Sequence, residues 1–324
     1  MVANVQGKIV ATGPQEQVAV DILAPFGPLV VAPESTEEAL LPLLPGAVAL
    51  LVRGDGEVGP RAITAGTDLK VIARSGVGYN NVDIEAATKR GIPVVFTPGA
   101  GARAVAEGAM AFMLALCKRL NYWDGELKGG RWASRFQPDT GDLEGGVLGI
   151  VGLGRIGQLL AQMAAPFDMR VLAFDPFVGQ DVAQPLGVEL VPLDQLLAQA
   201  DFISLHAAAT AENKGLINGD RLQQIKRGAY LVNLARGDLI ESLDVLYQAL
   251  QDGRLAGVGL DVFAPEPPDI GHPIFALPNC LTAPHALGLS NRAKERIFRA
   301  MAEDVAAVLR GERPENVVNP DVLG

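Results

Sequence analysis

The sequence predicts an α/β fold of two domains, each with a doubly wound parallel sheet. Short apolar runs alternate with helix-like stretches along the first hundred residues, and the same alternation begins again after Gly145. Strands and helices that alternate in this way form parallel sheets. Since the chain has 324 residues, about twice the length of a typical domain, two such sheets are expected.

The first series of apolar runs predicts strands at Ile9 to Ala11, Leu29 to Ala32, Val48 to Val52, Val71 to Ala73 and Val94 to Phe96. Ser35 and Glu38 have the spacing of a capping box, which predicts that a helix begins there, before Leu40. From Ala102 to Arg119 the pattern is that of one long Ala-rich helix. We therefore expect a domain boundary near Gly99 to Ala102.

The second series predicts strands at Val147 to Val151, Val171 to Phe174, Phe202 to Leu205, Tyr230 to Leu234, Val258 to Leu260 and Leu281 to Ala283. A polar helix follows from about Asn291 to Leu309, and the extended segment Asn316 to Pro320 is expected to return to the first domain. Residues 1–100 with 292–324 are thus predicted to form one domain, and residues 101–291 the other.

Composition excludes several classes of protein. Hydrophobic residues make up 49% of the chain and charged residues 20%, as in ordinary globular proteins. Cys117 and Cys280 lie far apart, which argues against a disulfide framework or a cysteine metal cluster. A net charge of -10 without a basic run argues against nucleic acid. The most apolar stretch, 39–52, is broken by prolines and too short for a bilayer, and no signal-peptide pattern occurs. We therefore expect a cytoplasmic protein that binds no membrane.

A glycine-rich motif marks the second domain. Gly152, Gly154 and Gly157 form the pattern G-x-G-x-x-G, with Arg155 and Ile156 between them, directly after a predicted strand and before an amphipathic helix. Such glycines let the backbone approach a pyrophosphate at the helix N-terminus. Asp175 follows 18 residues after Gly157 (175 − 157), near the spacing at which a carboxylate binds the adenosine ribose and repels a 2′-phosphate. The motif and its acid predict NAD as the cofactor; the alternative is a glycine-rich turn with a capping acid. The alternation of elements in both halves predicts a pair of Rossmann-like or flavodoxin-like domains around an active-site cleft.

Three histidines are candidates for a general acid or base: His206, His272 and His285. Ligands of open α/β sheets bind beyond the carboxyl ends of the strands, where His206 and His285 lie, although strand-end histidines are more often structural than catalytic. Arg236 follows another strand end and could bind both oxygens of a carboxylate. Glu266 follows a third and could hold the His285 ring in its charged form.

Several segments together resemble the D-isomer-specific 2-hydroxyacid dehydrogenase family, and the resemblance covers almost the whole chain. They are the glycine motif and Arg74 to Asp83, Thr97 to Glu107, Asn233 to Gly237, Gly259 to Pro267, Thr282 to His285 and Asn316 to Pro320. The chain resembles the phosphoglycerate dehydrogenase-like members, and the resemblance implies the short form without a C-terminal regulatory domain.

The resemblance implies a set of roles. Arg236 would bind the substrate carboxylate and polarise the carbonyl, while Glu266 would orient and charge His285, the proton donor or acceptor. Backbone N–H groups of Val77 and Gly78 would bind the same carboxylate. The resemblance also implies three residues that line the cofactor: Ala235, His206 and Asp261, the last of which would bind the nicotinamide carboxamide. His206 is as readily explained by a structural role, and Asp261 by a cap on a turn.

The substrate is less well defined. Arg53 and Arg74 follow predicted strands and resemble basic positions of phosphoglycerate dehydrogenases, which favours 3-phosphoglycerate; arginines that only cover apolar surface are the alternative. Without a phosphate contact, a hydroxypyruvate or glyoxylate reductase is expected. A protein of another class, which senses NAD(H) for a partner, would differ by its lack of turnover. Glu266 argues against a formate dehydrogenase, and no cluster of ligands predicts a metal. Family habit and the long helix from Ala102 favour a homodimer; the alternative is that this helix packs inside one subunit.

Overall fold

A computed structural model describes residues 5–54, 56–137 and 140–324 of the chain. The strands in these ranges are β1 (Lys8–Ala11), β2 (Leu29–Val31), β3 (Ala47–Val52), β4 (Val71–Arg74), β5 (Val94–Val95), β6 (Val147–Val151), β7 (Arg170–Phe174), β8 (Val188–Leu190), β9 (Phe202–Leu205), β10 (Ala229–Asn233), β11 (Leu255–Leu260) and β12 (Cys280–Thr282). The α-helices are α1 (Gln17–Leu23), α2 (Glu37–Leu40), α3 (Pro60–Ala65), α4 (Ile84–Lys89), α5 (Ala102–Cys117), α6 (Leu120–Lys128), α7 (Arg155–Ala164), α8 (Gln180–Ala183), α9 (Leu193–Gln199), α10 (Gly219–Gln224), α11 (Leu243–Gln251) and α12 (Asn291–Leu309).

The chain divides into two compact units. The first comprises Met1–Gly101 with Leu289–Gly324, and the second comprises Ala102–Gly288. Each unit contains one sheet of parallel strands with helices packed against it, which confirms the predicted α/β fold class. The helix-packed strands are almost continuously apolar, as is typical of parallel sheets covered on both faces.

The first unit contains a five-stranded sheet in the order β2-β1-β3-β4-β5. All six residues of β3 are buried, since this strand lies at the centre of the sheet. As predicted, the C-terminal segment returns to this unit. The Val318 backbone N–H donates to the Val94 carbonyl, and Oδ1 of Asn319 accepts the backbone N–H of Val94. Thr36 was not predicted as a cap, but its side chain, and not that of Ser35, accepts the N–H of Ala39 and begins α2. The predicted capping box is wrong by one residue.

The second unit contains a seven-stranded sheet in the order β12-β11-β10-β9-β6-β7-β8. The direction of strand order reverses between β6 and β9, which makes the carboxyl ends of these two strands the switch point where such sheets bind ligands. One face of the sheet carries α5 and α7, and the other carries α9 and α11.

The end of one helix and the presence of one edge strand differ from the prediction in this unit. The helix from Ala102 ends at Cys117 and not Arg119, because Arg119 adopts a left-handed backbone (φ +51°) that interrupts the helix before α6. The short edge strand β8 was not predicted, since its three residues include an exposed Glu189 and show no apolar run. Within the described residues, no α-helix is both long and apolar enough to cross a bilayer.

Candidate active site

The glycine loop between β6 and α7 has the geometry that the motif requires. Gly152 has a positive φ of +98°, and a Cβ there would lie 2.6 Å from the backbone nitrogen of Ala207. A side chain on Gly157 would overlap the Gly152 carbonyl oxygen, so this glycine lets α7 pack directly against the turn. Gly154 caps α7, and a Cβ there would meet only open space. The N-terminus of a ten-residue helix therefore remains accessible to a phosphate group.

Asp175 follows β7 and binds the backbone of the glycine loop. Its Oδ2 accepts the backbone N–H of Leu153 at 2.8 Å, and its Oδ1 accepts that of Phe177 at 2.9 Å. The carboxylate is thus fixed beside the glycine loop, with further lone pairs available because each carboxylate oxygen can accept more than one hydrogen bond. Arg155 is exposed and Ile156 partly buried at the start of α7.

These features fit a dinucleotide. The accessible helix N-terminus, the two glycines that allow close approach and the acid at the end of the next strand are the groups that hold the pyrophosphate and the adenosine ribose of NAD in Rossmann-type sheets. Glycine loop and acid lie together in one unit.

His206 lies at the switch point, directly after β9. Its backbone N–H donates to Val151 at the end of β6. The ring nitrogen Nε2 lies 2.7 Å from Oγ of Ser204, while Nδ1 is buried and has no hydrogen-bond partner among the described residues. Burial lowers the pKa of His206 from 6.5 to about 4, so the ring is neutral at physiological pH. Sequence patterns did not point to Ser204, because a buried serine within an apolar strand carries no motif.

Three predicted catalytic residues follow three neighbouring strands. Arg236 comes after β10, Glu266 after β11 and His285 after β12, and these strands are adjacent in the sheet. Because the strands are parallel, their carboxyl ends lie at the same edge of the sheet. All three residues belong to the second unit.

Glu266 and His285 are in direct contact. Oε2 of Glu266 lies 2.9 Å from Nδ1 of His285, and Oε1 accepts the backbone N–H of Phe263, also at 2.9 Å. The carboxylate is therefore anchored on one side and holds the imidazole on the other. His285 has a positive φ of +53°, unusual for a residue with a Cβ, and about half of its side chain is exposed. With Nδ1 engaged, Nε2 is the nitrogen left for a reacting group.

The loop of Arg236 is held by Asn233. The buried Asn233 side chain accepts the N–H of Ala235 and donates to the carbonyl of Arg236. Ala235 is itself buried, and the Arg236 guanidinium donates from Nη1 to the Ala235 carbonyl at 2.7 Å. That bond uses one of the five guanidinium N–H groups. The positioning role of Asn233 was not predicted, although the residue belongs to one of the segments singled out in the sequence.

Asp261 stabilises the segment that follows His285. Its buried carboxylate accepts the backbone N–H groups of Ala286, at 2.8 Å, and Leu287, at 3.2 Å. Burial raises the pKa of Asp261, while these two hydrogen bonds act in the opposite direction. The carboxylate thus ties the end of β11 to the turn that carries His285.

The predicted substrate contacts belong to the first unit. Val77 and Gly78 lie in the turn after β4, and about half of the surface of Val77 is exposed. Arg74 donates to the backbone carbonyls of Ser75 and Gly54 and so stabilises this turn. Arg53 donates to the carbonyl of Pro14, and its guanidinium lies 5.2 Å from the centre of the Phe298 ring. Both arginines therefore have structural contacts of their own.

The remaining candidates form no second site. His272 is paired with Asp244 and accepts the N–H of Ile274, which gives it a structural role at the surface of the second unit. Cys117 and Cys280 are free and buried. Among the described residues, no group of three His, Cys, Asp or Glu side chains is arranged to hold a metal ion.

Known proteins are similar to this chain over most of its length. Residues 110–286 match the family model described as "D-isomer specific 2-hydroxyacid dehydrogenase, NAD binding domain". A D-3-phosphoglycerate dehydrogenase of Methanocaldococcus jannaschii is 40% identical over 96% of this chain and 59% of its own length, so the chain spans less than two thirds of that relative. A glyoxylate reductase of Korarchaeum cryptofilum is 40% identical over 80% of this chain and 79% of its own.

A solved structure shows the same fold. D-lactate dehydrogenase from Aquifex aeolicus, complexed with NAD and lactic acid, superposes with a TM-score of 0.84 at 28% identity, over 96% of this chain and 99% of that one. The match therefore includes both units of the chain.

Proposed function

Because the chain belongs to the D-isomer-specific 2-hydroxyacid dehydrogenase family, we propose that it is an NAD-dependent oxidoreductase that acts at C2 of a small D-2-hydroxy or 2-keto acid. The observation that carries the proposal is the pair formed by Glu266 and His285, held 2.9 Å apart after the adjacent strands β11 and β12; β11 also pairs with β10, which precedes Arg236. When bound, NAD exchanges a hydride with C2 of the substrate. In this proposal the second unit binds NAD and supplies Arg236, Glu266 and His285, and the first unit supplies further substrate contacts.

His285 acts as the acid or base. In reduction its Nε2 donates a proton to the oxygen on C2, and in oxidation it accepts that proton from the hydroxyl. The Glu266 carboxylate stabilises the charge of the protonated ring and keeps Nδ1 engaged, so that only Nε2 meets the substrate. The Phe263 N–H keeps the carboxylate in place while the ring changes charge.

Arg236 and the turn after β4 bind the substrate. The guanidinium N–H groups of Arg236 that are not used by the Ala235 carbonyl bind a carboxylate oxygen and polarise the C2 carbonyl. The backbone N–H groups of Val77 and Gly78 bind the same carboxylate. On the cofactor side, Ala235, Asp261, His206 and the glycine loop contact NAD.

For the substrate itself we propose a phosphorylated acid, 3-phosphoglycerate or its keto form, with Arg53 and Arg74 at the phosphate. The phosphoglycerate dehydrogenase relatives support this choice. A specific observation favours the second candidate, hydroxypyruvate or glyoxylate: both arginines already donate to backbone carbonyls. A glyoxylate reductase is also 40% identical to the chain, over 80% of its length.

The test is oxidation of NADH by the purified protein with phosphohydroxypyruvate, hydroxypyruvate and glyoxylate, and reduction of NAD with 3-phosphoglycerate. A preference for phosphohydroxypyruvate that Arg53→Gln reduces by at least about tenfold, with hydroxypyruvate unaffected, supports the phosphorylated substrate. Equal rates with phosphohydroxypyruvate and hydroxypyruvate would identify the unphosphorylated acid, the second candidate, as the substrate. Tight NADH binding without turnover of any acid would instead identify a sensor of NAD(H).

We further propose a cytoplasmic homodimer. Four exposed apolar side chains lie within one stretch of the second unit, in and after α6: Leu120, Leu127, Trp132 and Phe136. Apolar surface concentrated in this way is typical of interfaces, and a second copy of the chain is the partner that we propose. Light scattering should give twice the 34.0 kDa of one chain, and Trp132→Asp should shift the mass toward one copy. A monomer in dilute buffer would contradict the dimer.

A further inference from the structure

The pair formed by Ser204 and His206 has no part in the chemistry proposed for His285, yet it lies where the dinucleotide is expected. Oγ of Ser204 and Nε2 of His206 are 2.7 Å apart. Both residues lie beside β6 in the sheet: Ser204 pairs with Ile150, and the His206 backbone N–H donates to the carbonyl of Val151. Parallel neighbours share a face, so Ser204 lies on the face of Ile150. That face is covered by α7, since Ile150 contacts the position of Gly157.

The number of unpaired buried polar groups in each arrangement decides which atom carries the proton. The neutral ring has one N–H, and the serine hydroxyl has one O–H. If Nε2 donates to Ser204, the buried hydroxyl hydrogen and the Nδ1 lone pair both lack a partner in the described part of the chain. If Ser204 donates to Nε2, only the Nδ1–H lacks one. Because unpaired buried polar groups are costly, the second arrangement is favoured.

This arrangement leaves one buried donor, the Nδ1–H of His206, without a partner among the described residues at the switch point of the sheet. His206 follows β9, and its main chain lies against Gly152, where a Cβ would come within 2.8 Å of the His206 carbonyl carbon. A dinucleotide at the glycine loop offers phosphate and ribose oxygens, which accept hydrogen bonds. The Nδ1–H of the neutral His206 ring can donate to such an oxygen.

We propose that Ser204 is a positioning residue that fixes His206 as the Nδ1–H tautomer, and that this N–H donates to an oxygen of the bound dinucleotide. The inference rests on the proposed NAD binding at the glycine loop and adds to it a donor, its tautomer and the residue that sets the tautomer. Low ring basicity supports it, since burial lowers the pKa of His206 to about 4.

Two variants of equal shape isolate the hydroxyl. Ser204→Thr and Ser204→Val add the same bulk to a buried β-strand site, but only threonine keeps an O–H for Nε2. Ser204→Ala removes the hydroxyl without adding bulk, in case neither larger side chain is accommodated. Ile203→Val, on the opposite face of the same strand, serves as the control for a small change in packing.

The first readout is the tautomer itself. The chain has only three histidines, so 15N-histidine labelling gives three rings, and His206→Asn assigns the signal of His206. We expect Nδ1 to carry the proton in the wild type, Ser204→Thr and Ile203→Val, and both ring nitrogens to share it in Ser204→Ala and Ser204→Val. A wild-type ring protonated at Nε2 would overturn the proposal.

The second readout is the affinity for NADH, measured by fluorescence. Ser204→Ala and Ser204→Val should weaken binding by about three- to tenfold, the range for one hydrogen bond, while Ser204→Thr and Ile203→Val stay within about twofold. His206→Asn, whose amide can replace Nδ1–H, should bind better than His206→Gln. Equal affinities throughout would overturn the inference but leave the proposed function intact, whereas a wild type that binds no NADH would overturn the proposed function.

Discussion

Gly237 and Phe263 lie so close together that a Cβ on Gly237 would overlap the carbonyl group of Phe263. The contact joins the turn of Arg236 to the turn whose Phe263 N–H anchors Glu266. Gly237→Ala should therefore separate the two turns, because the obstacle is backbone and cannot rotate away. We expect turnover to fall by at least about tenfold and the free energy of unfolding by about 1–3 kcal/mol, with NADH binding retained.

Gly219→Ala is the matched control for that variant. Gly219 begins α10 in the same unit, and a Cβ there would meet only open space. Steady-state kinetics and urea unfolding of the two variants give the comparison. Wild-type turnover in Gly237→Ala would show that the close approach of the turns is not needed for activity.

Glu266→Gln tests the charge of the anchored carboxylate without changing its shape. The amide oxygen can still accept the Phe263 N–H, and the NH₂ group then faces Nδ1 of His285. An amide does not stabilise a positively charged imidazole as a carboxylate does. We expect kcat to fall by about a hundredfold in both directions of the reaction, with the affinity for NADH unchanged. A loss of less than about threefold would mean that Glu266 only holds the loop.

Asp175 should determine the preference for NAD. Asp175→Asn keeps an oxygen for the Leu153 N–H but removes the negative charge that would repel a 2′-phosphate. We expect the ratio of kcat/KM for NADPH to that for NADH to rise at least about tenfold. Asp168→Asn makes the same charge change at an exposed site of the same unit and should leave the ratio unaltered. An unchanged ratio in both variants would assign the preference to another group.

His206 should make the protein less stable in acid. Above pH 6.5 the ring is neutral in both the folded and the unfolded chain. Between pH 6.5 and about 4 the unfolded chain binds a proton that the folded chain does not, since burial lowers the pKa of His206 to about 4. Lowering the pH from 7 to 4.5 should thus reduce the free energy of unfolding of the wild type by about 2–3 kcal/mol more than that of His206→Asn. Urea unfolding at both pH values measures the difference, and parallel losses would contradict it.

Sequence patterns predicted most of the fold because they report local physics. Alternating apolar runs marked the strands around both sheets, and the glycine motif predicted a turn whose Gly152 needs a positive φ. The edge strand β8 was not predicted, because it has only three residues and the middle one, Glu189, is exposed, so the sequence shows no apolar run there. The cap of α2 was misplaced because Ser35 and Thr36 are equally suitable cap residues, and only the backbone conformation selects Thr36.

The site was predictable at its strand ends but not in its supports. The roles proposed for Arg236, Glu266 and His285 follow from their residue types and their places after predicted strands, which the sequence shows directly. Ser204 and Asn233 act through hydrogen bonds to His206 and to the turn of Arg236, and these bonds depend on how the chain folds beyond each strand. Residues of this kind become visible only when the partner atoms are located.

The proposed mechanism depends most on His285 as the proton donor. The most direct measurement compares the wild type with His285→Gln, using NADH and the best 2-keto acid of the panel, together with the NADH affinity of each protein. We predict that kcat falls by at least about a hundredfold while the affinity for NADH changes by less than about twofold. A near-normal rate in His285→Gln would contradict the mechanism.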